Sequence, residues 1–129
     1  MRLKCLIAED AEFIREIYRY ALVNSEFVEI VAEATDGEEA MKLLVEVKPD
    51  VMLLDLVLPV KSGLDILKEV SMVAPKTKVI VISSIDDEKI IGRAKALGAF
   101  SYIKKPFTKN ELLKACEEAA KVYSEVENG

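Results

Sequence analysis

The chain has 129 residues, 51% of them hydrophobic and 32% charged, with 18 Lys and Arg set against 23 Asp and Glu for a formal net charge of −5. That length suits one domain with a sizeable core, and the interspersed, mildly acidic charge argues against a general nucleic-acid or membrane-surface binder, leaving room only for local basic patches. Histidine is absent, which removes Ser-His and Cys-His catalytic pairs and histidine metal sites.

In chain order, "CLIA" (5–8) predicts a strand that ends on Glu9-Asp10. Four apolar residues after "MRLK" are too few for a signal peptide or a membrane span, so a cytosolic protein is expected. "EFIREIYRYALVN" (12–24) places Phe13, Ile17, Tyr20, Ala21 and Asn24 at helical spacing, and Tyr18 and Tyr20 read as packing residues of that helix. "FVEIVAEA" (27–34) is strand-like and runs into Asp36-Gly37, a turn or capping signal. "EEAMKLLVEV" (38–47) is an amphipathic helix stopped by Pro49. "VMLLD" (51–55) is an apolar strand ending on Asp55, and "GLDILKEV" (63–70) is a helix before Pro75. "KVIVIS" (78–83) is a β-branched strand ending on Ser83-Ser84. Asp86 or Asp87 caps the helix "EKIIGRAKAL" (88–97), with Gly98 at its C-terminal stop. "FSYIK" (100–104) is a fifth strand, followed by Lys105-Pro106. Thr108 and Glu111 form a capping box for a last helix to about Glu125. Cys5 and Cys116 lie in apolar settings and read as buried thiols, not a disulfide.

Five strands, each followed by a helix, predict an α/β fold. Short, almost continuous apolar strands are buried on both faces, so the sheet is parallel and covered by helices on each side. Right-handed crossovers make it doubly wound, and with five strands the common order is 2-1-3-4-5, whose switch point lies between strands 1 and 3. Ligands bind such sheets beyond the carboxyl ends of the strands, at that crevice.

The residues at those ends are Glu9 and Asp10, Asp55, Ser83 and Ser84, and Lys104 and Lys105. Each alone has a plain reading. Asp10 could cap the helix from residue 12, Asp55 could form a turn, Ser83 could bond loop backbone, and the lysines could be solvated. Together they place three carboxylates on strands about 4.8 Å apart. Carboxylates so close repel unless a cation joins them, and an all-oxygen site suits Mg²⁺. A carboxylate beside Mg²⁺, a hydroxyl and a lysine could take up a phosphoryl group, the cations neutralising its oxygens.

In "AED" (8–10), "DLVLPVKSG" (55–63), "ISS" (82–84) and "LGAFSYIKKPF" (97–107) the chain resembles the receiver domain of bacterial two-component response regulators, the CheY-like family with its flavodoxin-like fold. The resemblance covers residues 3 to 125 and implies a receiver domain over 1–125 with 126–129 as a tail. It implies that Asp55 is the phosphoacceptor, and that Asp10, Glu9 (through water), Asp55 and the backbone carbonyl of Val57 hold Mg²⁺, with Mn²⁺ as a substitute. Ser83 and Lys105 then bind the phosphoryl group, Pro106 follows a cis peptide bond, and Tyr102 is an aromatic whose rotamer tracks activation. Ser84 is a small residue that leaves room at the site, and Lys104 stays a solvated charge. Many relatives carry Asp where this chain has Glu9. Val57 and Ile85, two residues after Asp55 and Ser83, match positions that border the path of hydrolytic water; as apolar β-branched residues they imply slow loss of phosphate.

The implied function is a phosphorelay switch. It is phosphorylated by a histidine kinase or histidine phosphotransfer protein and regulates a downstream protein through the face of helix 88–97, strand 100–104 and the last helix. Receivers often dimerise through that face. Such a domain promotes only its own phosphorylation and slow dephosphorylation. An aspartyl-nucleophile phosphatase of the haloacid-dehalogenase type would need a second Asp where Val57 stands. A flavin carrier would need a hydroxyl- and glycine-rich loop where "EDAEF" stands. A degenerate, binding-only receiver would not need the full acidic, Ser and Lys set. "VENG" fits a stand-alone regulator or the cut point of a longer one, the former being favoured.

Overall fold

The computed structural model describes residues 2–128. Its elements are β1 (Leu3–Ala8), α1 (Glu12–Leu22), β2 (Val28–Ala34), α2 (Gly37–Val47), β3 (Val51–Leu54), α3 (Gly63–Val73), β4 (Lys78–Ser83), α4 (Glu88–Ala96), β5 (Ser101–Lys104) and α5 (Lys109–Asn128). All strand pairs are parallel, in the order β2-β1-β3-β4-β5. The expected topology is the observed one.

The central strands β1, β3 and β4 are apolar in their middles because both their faces are covered, whereas the edge strand β2 exposes Glu29 and Val31. Cys5, Ile7, Val51, Leu53, Ile80 and Ile82 point into one core, with Tyr18, Leu22, Leu112 and Cys116 from α1 and α5. Their alternating neighbours Leu6, Ala8, Met52, Leu54, Val79 and Val81 point into the other, with Leu44, Ile66, Leu67 and Ala94 from α2, α3 and α4. Each fully buried Leu or Ile contributes roughly 1.5–3 kcal/mol relative to exposure, so this two-sided burial holds the sheet rigid under the loops at its carboxyl edge.

The caps follow the sequence. Asp36 accepts from the Glu39 amide, Ser62 from Asp65 and Asp87 from Lys89. Thr108 and Glu111 form the reciprocal box. Gly98 has φ +104 after α4. Helix α5 runs three residues past the expected Glu125, and Gly129 of the expected tail lies outside the described residues.

Helix α1 corrects the sequence reading. Tyr18, Ala21 and Leu22 are buried and Ile14 packs on the same core, whereas Phe13 is 71% and Tyr20 78% exposed. Positions 14, 18, 21 and 22 also fit an i, i+4, i+7, i+8 stripe. Two stripes therefore competed. Tyr18 stacks on Phe107 at 5.5 Å, and Arg19 next to it pairs with Glu33 of β2. Those partners rotate the helix away from the expected face.

Candidate functional site

The register of β1 on β3 builds the site. Ala8 pairs with Leu54, so the next residues, Glu9 and Asp55, leave the sheet side by side. The Asp55 amide donates to the Ala8 carbonyl (3.1 Å) and the Glu9 amide to the Ala34 carbonyl of β2 (3.0 Å). Carboxylate oxygens of Glu9, Asp10 and Asp55 lie within 4.8 Å of one another, with Glu9 and Asp55 buried and Asp10 exposed.

Lys105 answers part of that charge. It follows β5, its amide donating to the Ser83 carbonyl (2.9 Å), and the bond to Pro106 is cis. Its Nζ reaches Glu9 Oε1 at 2.6 Å and Asp55 Oδ2 at 2.9 Å. Asp55 Oδ1 accepts from the Val57 amide (3.0 Å) and Glu9 Oε2 from the Ala11 amide (3.1 Å). Burial raises the pKa of Glu9 despite the lysine and the Ala11 amide. Burial also works against the Lys105 ammonium, but its bonds to Glu9 and Asp55 outweigh it, and its pKa stands above the usual lysine value.

Among the described residues Asp10 has no such partner. The N-cap of α1 is Ala11, without a side-chain capping bond, so the alternative role of Asp10 as a helix cap is not seen. The third carboxylate points outward beside two that are already shared with one lysine. Among the described residues, one lysine is bonded to two of the three carboxylates, and the donors are hard oxygens throughout. That donor set fits a small divalent cation of the Mg²⁺ type.

The turn after Asp55 is tightly drawn. The Gly63 amide donates to the Leu56 carbonyl (2.9 Å), and the Pro59 carbonyl accepts from both Lys61 (2.8 Å) and Gly37 (3.0 Å). Val60, at φ 73, is an outlier for a β-branched residue. Gly63 is needed for close approach, since a Cβ there would lie 2.3 Å from Leu56 Cα. Val57 sits in this turn with its side chain exposed.

Ser83 is fully buried at the end of β4. Its Oγ accepts from the Ile85 amide (3.3 Å), while the Tyr102 hydroxyl donates to the Ile85 carbonyl (2.8 Å). Burial raises the Tyr102 phenol, with the Ser83 hydroxyl pulling the other way. One residue, Ile85, thus joins Ser83 to Tyr102, its amide bonded to the first and its carbonyl to the second. Ser84 is exposed, and Lys104 pairs at the surface with Asp86 (2.5 Å).

A family profile for the response regulator receiver domain matches residues 5–117. The chain belongs to the response regulator receiver family. It is 40% identical over 119 residues to "Chemotaxis protein CheY" of Listeria monocytogenes, covering 92% of this chain and 99% of that one. It is 31% identical to "Chemotaxis protein CheY" of Thermotoga maritima, covering 92% and 98%. The solved REC domain of AraT, a response regulator from Geobacillus stearothermophilus, superposes with a TM-score of 0.90 at 32% identity, over 98% of this chain and 99% of that one. This receiver is therefore a component of two-component signalling, a class of switches and not of classical enzymes. No helix among the described residues is long and apolar enough to cross a membrane.

Two contacts of the receiver were not legible beforehand. Glu9 was expected only as a cation ligand, yet it pairs with Lys105, 96 residues away. Arg15, unremarked in the sequence, donates Nη1 to the Glu9 carbonyl (2.8 Å). Its only signal was a cation on the first turns of the helix that follows the acidic pair.

Proposed function

We propose that this receiver is switched by phosphorylation of Asp55. An Asp55 carboxylate oxygen attacks the phosphorus of a phosphohistidine on a histidine kinase or phosphotransfer protein. The P–N bond breaks, the histidine nitrogen keeps the electron pair, and an acyl phosphate forms. The observation that carries this reading is Lys105 Nζ placed 2.9 Å from Asp55 and 2.6 Å from Glu9, with Asp10 open beside them. Glu9, Asp10, Asp55 and the Val57 carbonyl would hold Mg²⁺ or Mn²⁺, which supplies charge neutralisation at the phosphoryl oxygens. Asp55 is the nucleophile, and the Val57 amide orients it. Lys105 stays on Asp55's side of the site and pairs with a phosphoryl oxygen. The domain runs this half-reaction and its slow hydrolysis on itself alone.

The switch follows from the two backbone bonds of Ile85. A phosphoryl group on Asp55 draws the Ser83 hydroxyl toward it, which gives up the Ile85 amide. The Tyr102 hydroxyl then loses its fixed acceptor, and the ring repacks. This biases the α4–β5–α5 surface between two states, the change a downstream protein reads and the face through which copies dimerise. We read residues 1–125 as the domain, working in the cytosol and without direct contact to nucleic acid or membrane.

NMR of the Tyr102 ring, with and without acetyl phosphate, tests the scheme. Wild type shifts on phosphorylation, while Ser83→Ala and Lys105→Ala take up the group but shift less. Full shifts in both variants would refute the proposed coupling.

A further inference from the structure

We propose that Arg15 is a positioning residue for the cation site, fixing the 9–10 peptide and with it the place of Asp10. The inference rests on the reading of Glu9, Asp10 and Asp55 as that site. The Arg15 side chain is only 11% exposed. It divides its guanidinium among three partners: Nη1 to the Glu9 carbonyl at 2.8 Å, Nη2 to Glu12, and Nε 3.3 Å from Glu33 Oε1 of β2. Arg19 bridges the same two acids, 2.8 Å from Glu12 and 3.1 Å from Glu33. The fork is thus braced from α1 and β2, so its position does not depend on the Glu9 carbonyl it holds.

What it holds matters because of Asp10. Glu9 is anchored three ways, by its amide on Ala34 and its carboxylate on Lys105 and the Ala11 amide. The Asp10 carboxylate is exposed and has no side-chain capping role on α1. Its position follows from the backbone alone. The Glu9 carbonyl belongs to the peptide that enters Asp10, and Arg15 is the side chain that pins that carbonyl.

Two accounts of Arg15 predict opposite signs. If Arg15 acted only as a nearby charge, removing it would strengthen cation binding to an acidic cluster. If it places Asp10, removing it weakens Mg²⁺, which demands near-ideal octahedral geometry, more than Ca²⁺, whose coordination is flexible.

Isothermal titration of the unphosphorylated protein with Mg²⁺ and with Ca²⁺ decides. Arg15→Met is expected to lose about tenfold in Mg²⁺ affinity, the lower end for loss of an outer partner, and less for Ca²⁺. Arg15→Lys, with its donors on one nitrogen of shorter reach instead of a planar fork, falls between it and wild type. Mg²⁺ affinity unchanged or increased in Arg15→Met, or an equal loss for both ions, overturns the proposal. Should Arg15→Met not fold, Arg15→Lys against wild type decides on the same criteria. Asp10→Asn is the control: if wild type binds no Mg²⁺, or Asp10→Asn binds it equally well, the reading of the site fails and takes this inference with it.

Discussion

A carboxylate as buried as Glu9, at 1% exposure, needs a cation. Lys105 serves both Glu9 and Asp55, and its own side chain is 17% exposed. Removing one partner of such a cluster leaves charge buried and unpaired. Lys105→Ala is therefore expected to lose roughly 2–4 kcal/mol in EDTA, with part recovered in Mg²⁺. Urea unfolding in the two buffers measures it, and equal losses in both would argue against a cation taking the lysine's place. The apolar pair Val57 and Ile85 makes a second residue-scale prediction, for the lifetime of phospho-Asp55. Neither side chain can hydrogen-bond an attacking water. Val57→Asn with Ile85→Glu should speed decay about tenfold at saturating Mg²⁺, equivalent to about 1.4 kcal/mol of barrier. An unchanged or slower first-order decay would show that these side chains do not control the water. The thiols are the inert residues. Burial places Cys5 well above the usual thiol value and pushes Cys116 up to about 12. Both should ignore a disulfide reagent at mildly alkaline pH until the protein unfolds. The sign for stability follows: a thiol raised in the folded state stabilises below its unfolded pKa, and that contribution is lost as pH climbs toward the folded value.

At the scale of elements, two glycines predict opposite outcomes. Gly92 lies inside α4, and a Cβ built there meets nothing within 4 Å. Helix α4 buries only Ala94, so little packing offsets the glycine. Gly92→Ala should raise stability by about 0.5–1 kcal/mol, a rise of roughly 2–6 °C in Tm. If mobility of α4 serves the switch, the same variant shifts the Tyr102 ring less on phosphorylation. Gly63 is the reverse case. Its added Cβ would strike Leu56 Cα at 2.3 Å and the Asp55 carbonyl at 2.8 Å. Gly63→Ala should cost roughly 1–3 kcal/mol and displace the turn that carries Val57. Thermal melts of the two variants, run side by side, check both signs. The elements themselves were readable because strands covered on both faces leave unbroken apolar runs, and Asp36, Asp87 and the Thr108–Glu111 box mark helix starts. The orientation of α1 was not readable. Its two apolar stripes differ only in their partners, and the partners Phe107 and Glu33 are distant in sequence.

For the whole molecule, the sheet order carried the site. Once β1 and β3 are neighbours, Glu9, Asp10 and Asp55 must meet, and β4 and β5 deliver Ser83 and Lys105 beside them. That much follows from strand pattern and strand-end residues. The pairing of Glu9 with Lys105 and the Arg15 contact required the side-chain geometry, because in the sequence both cations stand among many others of the same type. This assembly is proposed to make Asp55 accept a phosphoryl group in a cation-dependent reaction. Intact-mass measurement after incubation with acetyl phosphate tests it most directly, in Mg²⁺ and in EDTA, for wild type and Asp55→Asn. Wild type is expected to gain the mass of one phosphoryl group in Mg²⁺ alone. Equal labelling of Asp55→Asn, or labelling that persists in EDTA, would contradict it.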